Sequence, residues 1–158
     1  MEAPAAAEAD AAKRIHAAVR GVTFAARTIE RSLGSMTLAQ LRILTLVARD
    51  PVRASTLAED ASLSRPTLTG VLEGLVAKGW VDRSAVDGDR RGVTLDITAH
   101  GRDALQRAER ESGDALAALV ADLPIRERDG AIRSLAALAG VAQQRLARKA
   151  AAAREVSR

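Results

Sequence analysis

The chain has 158 residues, a net charge of +4, no cysteine and two histidines. The lack of cysteine excludes disulfide bonds, cysteine-ligated zinc, a cysteine nucleophile and a thiol redox switch, and two histidines leave little room for a histidine-based metal or acid–base site. Aromatic residues make up 1% of the chain, which argues against a single-strand nucleic-acid binder that stacks bases on aromatic rings.

The positive charge is not concentrated in the middle of the chain. Residues 34–100 contain eight basic and eight acidic side chains, so contact with an acidic partner there would depend on individual arginines. No apolar run reaches the roughly 18–20 residues that span a bilayer, and the N-terminus lacks the pattern of a signal peptide. We therefore expect a cytoplasmic protein with no membrane partner.

The two ends of the chain differ from the segments just inside them. Residues 1–12 and 148–158 are alanine-rich and polar, and we expect them to be flexible. Inside these ends, apolar residues follow heptad spacing, which is typical of helices that pack lengthwise against other helices. Residues 13–34 and 102–147 are therefore predicted to form a helical dimerisation region, with ordinary packing within one chain as the alternative. The two apolar rows are Ile15, Val19, Val22, Ala26, Ile29 and Leu33, and Ile125, Ile132, Leu135, Ala139, Ala142 and Leu146.

The middle of the chain predicts three helices in succession. Thr37 and Gln40 form a capping-box pattern that begins the first helix, and Pro51 follows its end. A short helix contains Leu57, and Ser64 is the expected N-cap of the third helix. The third helix has an apolar row at the spacing of a core-facing helix, and Gly79 suits the position after its C-cap. This row is Leu68, Val71, Leu72, Leu75 and Val76.

A change of period follows Gly79. Residues 80–83 and 93–97 alternate as a pair of strands, and the charged loop 87–92 joins them. Trp80 is expected to pack this hairpin onto the domain. Three helices followed by a hairpin predict a winged helix-turn-helix. The predicted fold class is thus mainly α (α+β), with six helices, a two-stranded wing and a dimerisation region from the terminal helices.

Residues 38–101 resemble the MarR (multiple antibiotic resistance regulator) family of transcription regulators. The resemblance implies that residues 35–101 form the DNA-binding domain. It also implies a homodimer whose two winged domains bind a pseudo-palindromic operator in double-stranded DNA. The stretches that carry the resemblance are Leu57-Ala58-Glu59, Leu63-Ser64-Arg65-Pro66-Thr67-Leu68-Thr69, Leu75-Val76-Ala77-Lys78-Gly79-Trp80-Val81 and Asp89-Arg90-Arg91-Gly92-Val93, followed by Leu95, Thr98 and Gly101.

The start of the third helix is the predicted reading surface. Arg65 suits bidentate contact with guanine, and Thr67 and Thr69 suit base edges, thymine methyl groups or phosphates. Ser64 caps a helix N-terminus that favours phosphate. Gly70 either allows close approach to the groove wall or is a neutral interruption of the helix.

The wing and two other helix starts supply the remaining predicted DNA contacts. Arg91 is assigned to the minor groove and Arg90 to phosphate. The family pattern implies that Asp89 braces the wing, while an Asx turn is the alternative. Phosphate contact is also predicted at the helix starts, where capping alone is the alternative and is favoured for Thr37. These residues are Thr37, Ser55 and Thr56.

A row of residues on the first helix suggests an effector site. His16, Arg20, Phe24 and Arg27 follow one another at about one helical turn, so they could line a pocket for a small organic anion. A solvated charged face with one packed phenylalanine is the alternative. In the MarR family, small molecules of this kind often release the protein from DNA.

These features together predict a sequence-specific, homodimeric transcription regulator, best described as a repressor released by a small-molecule effector. The chain lacks a glycine-rich phosphate loop, a metal-ligand cluster and a nucleophile–base set, so we expect no enzyme activity, no cofactor and no metal. The alternative is a winged-helix module for protein interaction or small-molecule binding without specific DNA binding.

Overall fold

The computed structural model describes residues 3–61, 63–86 and 89–156. It is mainly helical with one small antiparallel sheet, as predicted from the sequence. The elements are α1 Ala3–Ser32, α2 Leu38–Val47, β1 Val52–Arg53, α3 Ala54–Ala61, α4 Arg65–Ala77, β2 Val81–Val86, β3 Asp89–Ile97, α5 Ala99–Ala121 and α6 Ile125–Val156. None of the described helices combines the length and apolarity that crossing a bilayer requires.

The prediction of a two-stranded wing is wrong, because the sheet has three strands in the order β1-β3-β2. The added strand β1 pairs with β3 through Val52 opposite Leu95 and Arg53 opposite Thr94. The sequence did not predict β1 because a strand of two residues is too short to show an alternating pattern. Its partners also lie about forty positions away in the chain. The hairpin is also longer than predicted, since β3 begins at Asp89 inside the expected loop.

The terminal helices extend beyond their predicted limits. Helix α1 begins at Ala3, whereas the sequence predicted residue 13, and α6 continues to Val156, past the predicted end at 147. Alanine has the highest intrinsic helix propensity, so the alanine-rich segments continue the helices that adjoin them. The division into a dimerisation region and a DNA-binding domain stays a prediction.

An aliphatic core holds the middle of the chain together. Side chains from α2, α3, α4 and the sheet meet there with the first turns of α5. Trp80 is buried, as expected, and its ring meets His100 edge to face with centroids 6.4 Å apart. The residues with no more than 1% of their surface exposed are Ile43, Leu44, Val47, Leu57, Ala61, Leu75, Val81 and Leu95.

Candidate nucleic-acid interface

The N-terminus of α4 is shaped by its cap. The Ser64 hydroxyl accepts a hydrogen bond from the Thr67 backbone N–H at 3.3 Å and lies 2.7 Å from the Thr67 hydroxyl. Ser64 itself has extended backbone angles, and Pro66 stands in the first turn, where a missing N–H costs little. The cap predicted from the sequence is confirmed. It fixes the direction in which the positive end of the helix dipole faces solvent.

One face of α4 is buried and the opposite face is open. Leu68, Leu72 and Leu75 belong to the core, while the predicted reading residues are exposed. Gly70 lies on the open face, and Arg65 and Thr69 lie at its border, where they line a groove together with Leu72. The Thr69 hydroxyl donates to the Arg65 carbonyl oxygen at 3.0 Å, so its methyl group is the part left for outside contact. The predicted reading residues that are exposed are Arg65, Thr67, Thr69 and Gly70.

Packing among the described residues does not require a glycine at position 70. A Cβ built at Gly70 meets nothing within 4 Å, whereas one built at Gly74 would lie 2.8 Å from the Gln40 side-chain nitrogen. A side chain at position 74 would require the end of the Gln40 side chain to shift, whereas one at position 70 would displace nothing. The open space is compatible with both predictions for Gly70, close approach to the groove wall and a neutral interruption of the helix.

Thr37 performs the capping that the sequence favoured for it. Its hydroxyl accepts from the Gln40 N–H at 3.1 Å, and its own N–H donates to the Gln40 side-chain oxygen at 3.2 Å. The capping box at the start of α2 is thus complete. Contact between Thr37 and phosphate stays a prediction.

The predicted wing contacts fall on side chains outside the described part of the structure. The backbone of Asp89, Arg90 and Arg91 belongs to β3, and that of Ser55 and Thr56 to α3. Their side chains lie outside the described residues, so the roles assigned to these five residues stay predictions.

The predicted effector residues lie on an open face of α1, and their assigned role stays a prediction. His16, Arg20, Phe24 and Arg27 are all exposed on α1, and 68% of the Phe24 surface is accessible. None of them lines a described groove. The sequence pattern placed them on one helix, but no other described element of the protomer covers that face.

A groove between α2 and α6 is a better-formed candidate, and sequence reasoning missed it. It encloses about 580 Å³ and contains Arg42 and Arg49, which lie two helical turns apart along α2 and its end, with Leu46 between them. The sequence places Arg42 and Arg49 seven residues apart, and therefore on one side of α2. No pattern within that segment predicts that α6 lies opposite them. The remaining lining residues are Thr45, Asp60, Gln143, Leu146 and Ala147.

The terminal helices leave large apolar side chains uncovered in the protomer. The predicted dimer residues Ile15, Val19 and Val22 on α1 and Ile132 and Leu135 on α6 are all exposed. Ile29 and Leu146 are half-buried, and Leu146 lines the α2–α6 groove. Ile125, which the sequence row on α6 included, is exposed as well. That row missed two further exposed residues, Leu138 and Val141.

The helices α2, α3 and α4 with the three-stranded sheet define a winged helix-turn-helix protein whose third helix presents a polar, capped end to solvent. Residues 35–92 match the model of the MarR family. This match confirms the resemblance to the MarR family of transcriptional regulators that the sequence showed, over a little more than a third of the chain. No curated protein sequence matches it.

Solved structures of MarR proteins resemble the chain over most of its length. A MarR family protein from Mycobacterium tuberculosis in complex with salicylic acid is 26% identical, with a TM-score of 0.61 over 76% of this chain and 91% of that one. Wild-type MarR from E. coli is 25% identical, with a TM-score of 0.65 over 80% and 95% of the two chains. A MarR family regulator from Streptomyces coelicolor in complex with DNA is 22% identical, with a TM-score of 0.67 over 83% and 86%. That last likeness concerns the fold.

Proposed function

We propose that this protein is a homodimeric, sequence-specific repressor that reads a pseudo-palindromic operator with α4. The observation that carries the proposal is the capped, exposed end of α4 on a winged-helix scaffold that matches the MarR family model. In helix-turn-helix proteins the N-terminal residues of the second helix contact base edges in the major groove. A DNA target of this kind would make the protein a cytoplasmic one.

The proposed contacts are of two kinds, contacts with base edges and contacts with the sugar–phosphate backbone. Arg65 reads a guanine, since a guanidinium can bond both O6 and N7. Thr67 and Thr69 offer methyl groups to neighbouring bases, since their hydroxyl groups are bonded within α4 and its cap. Gly70 brings the α4 backbone close to the groove wall. Ser64 receives a phosphate at the helix N-terminus. Further phosphate contacts are proposed for Thr37, Ser55, Thr56 and Arg90, with Arg91 in the minor groove and Asp89 bracing it.

The dimer is proposed from the uncovered apolar rows on α1 and α6. Val19 and Leu138 have 57% and 62% of their surface exposed in the protomer, and large apolar side chains repeated along a helix usually mark a contact surface. Pairing of these helices with those of a second chain would bury both rows. It would place two α4 helices on one side of the dimer, as an inverted-repeat operator requires.

A small organic anion is the proposed effector, and the α2–α6 groove is its proposed site. Arg42 and Arg49 can pair with a carboxylate, while Leu46 and Leu146 offer apolar surface to a hydrocarbon or ring. The groove joins α6 of the dimerisation region to α2 of the DNA-binding domain, so a bound molecule would bias how the two are arranged. A similar protein was solved with salicylic acid, which makes salicylate a suitable first probe.

Selection of DNA from a random duplex pool tests the regulator. The expected product is an inverted repeat whose half-sites are centred about 10–10.5 base pairs, or a multiple of that, apart. Recovery of DNA without a consensus at low salt would overturn the proposal.

A second candidate is a winged-helix module that binds protein or small molecules only. The observation that favours it is the balanced charge of residues 34–100, which supply no general attraction to phosphate. Absence of DNA binding in the same selection, together with stabilisation by a small molecule, would support this alternative.

A further inference from the structure

The side chain of Lys78 fastens the C-terminal end of α4 to the junction between α1 and α2. Its ammonium nitrogen donates to the Ser35 carbonyl oxygen at 2.5 Å and to the Gln40 side-chain oxygen at 3.2 Å. The same nitrogen lies 4.5 Å from the centroid of the Trp80 ring. Two oxygens and one indole face thus surround the charge, and we call this arrangement the Lys78 cage.

The backbone around Lys78 is arranged to build this cage. Lys78 is the C-cap of α4, and Gly79 follows with a φ of 65°. The Gly79 N–H donates to the Val76 carbonyl oxygen at 2.9 Å and the Trp80 N–H to that of Leu75 at 3.0 Å. This pair of hydrogen bonds is a Schellman motif. It turns the chain so that the Lys78 ammonium lies over the Trp80 ring.

The other side of the cage belongs to the start of α2. The Gln40 side-chain oxygen that accepts from Lys78 also accepts from the Thr37 N–H at 3.2 Å. The Gln40 side-chain nitrogen lies so near α4 that a Cβ at Gly74 would come within 2.8 Å of it. Ser35 belongs to the short turn that joins α1 to α2, after Gly34 at a φ of 60°. The cage therefore connects three elements at one point.

We propose that Lys78 is a positioning residue that sets the angle between α4 and α1. This inference rests on the proposed function, because α1 is the proposed dimerisation helix and α4 the proposed reading helix. Helix α4 has 13 residues, which is about 20 Å of helix, and its reading end lies opposite Lys78. A small rotation at the Lys78 end therefore displaces Arg65 by several ångströms at the other end. In a dimer, that angle sets the distance between the two reading helices.

Lysine suits this position because its ammonium is compact and carries three donors. Two of those donors reach Ser35 and Gln40 from the face of the indole ring. The chain contains 3 lysines against 21 arginines, and the other two, Lys13 and Lys149, lie on the terminal helices.

Binding to a full operator and to a single half-site distinguishes positioning from general stability. Lys78→Met removes the cage, and Lys13→Met removes an exposed lysine on α1 as the matched control. Lys78→Met should weaken binding to the selected full operator by about tenfold and leave half-site affinity nearly unchanged. It should also select a different half-site spacing. An equal loss on both duplexes, or no loss on either, would overturn the proposal.

Trp80 is the chain's one tryptophan, so its fluorescence reports the cage without DNA. Emission should change in Lys78→Met and not in Lys13→Met, and unchanged emission would overturn the cage itself. If circular dichroism shows that Lys78→Met does not fold, Lys78→Gln takes its place. Its neutral amide can still donate hydrogen bonds but has no charge to place over the Trp80 ring. A wild-type protein that binds no DNA would overturn the positioning role together with the proposed function, and Trp80 emission would show separately whether the cage exists.

Discussion

Gly101 lies directly against the main-chain carbonyl group of Trp80. A Cβ at residue 101 would overlap that oxygen and approach the Ile97 side chain to 2.9 Å. The same oxygen accepts a hydrogen bond from the Thr98 N–H at 3.1 Å, and the Thr98 hydroxyl donates to the Gly79 carbonyl oxygen at 2.7 Å. The end of α4, the start of the wing and the start of α5 therefore meet at a point with no space for a side chain.

Replacement of Gly101 by alanine should lower the free energy of unfolding. The obstacle is a backbone oxygen, which cannot rotate away as a side chain can, and overpacking of this kind costs about 1–3 kcal/mol. Gly113 lies on the same helix, and a Cβ added there would meet nothing within 4 Å, so Gly113→Ala is the control. That change should raise stability by about 0.5–1 kcal/mol. Urea unfolding of both variants measures the difference. A Gly101→Ala protein with the same free energy of unfolding as the wild type would contradict the packing argument.

Arg65→Ala should reduce the ability of the protein to tell one base pair from another. Loss of a bidentate contact with guanine removes about 1–3 kcal/mol of discrimination. Fluorescence anisotropy with the selected operator and with operators changed at each guanine measures it. The exposed Arg110 on α5 supplies the control, and Arg110→Ala should bind as wild type does. A loss of equal size on every duplex would mean that Arg65 contacts phosphate instead of a base.

On the reading surface, the sequence could predict those features that depend on residues only a few positions apart in the chain. The bond between Ser64 and Thr67 spans three residues, and the buried row of α4 follows one helical period, so local spacing determines both. The exposure of Arg65 does not follow from that period, which places it on the same side as Leu68 and Leu72. Arg65 is exposed as the first residue of α4.

The parts that could not be predicted join residues far apart in the sequence. Strand β1 depends on Val52 meeting Leu95, and the Lys78 cage depends on Ser35, 43 positions away. The β1–β3 pairing and the Lys78 contacts each involve only one or two residues on either side. Many other residues of the chain could make such contacts, so no periodic pattern in the sequence predicts them. The α2–α6 groove was missed for the same reason, because spacing along α2 does not show which other element faces it. The effector site predicted on α1 stays a prediction.

An acidic residue among the exposed apolar side chains of either terminal helix should prevent dimer formation. Leu138→Asp on α6 and Val19→Asp on α1 place a carboxylate where the proposed partner chain would bury it, and a buried unpaired charge is strongly unfavourable. Both positions are exposed in the protomer, so the variants should keep their fold. Light scattering should show a dimer for wild type and monomers for both variants. Gln106→Asp on α5, an exposed polar position, should remain dimeric. A monomeric wild-type protein would contradict the proposed assembly.

Two double variants distinguish the two places where an anion could bind. Arg42→Ala with Arg49→Ala removes both guanidinium groups of the α2–α6 groove, while Arg20→Ala with Arg27→Ala removes those of the exposed α1 face. Salicylate should raise the melting temperature of the wild-type protein, because a ligand that binds only the folded state stabilises it by about 2.7 kcal/mol at a concentration 100 times its Kd. The groove variant should lose this shift and the α1 variant should keep it, since the groove places two guanidinium groups beside the apolar surface of Leu46 and Leu146 and the α1 face is open. The reverse result would return the effector site to His16, Arg20, Phe24 and Arg27, and would require the partner chain to complete it.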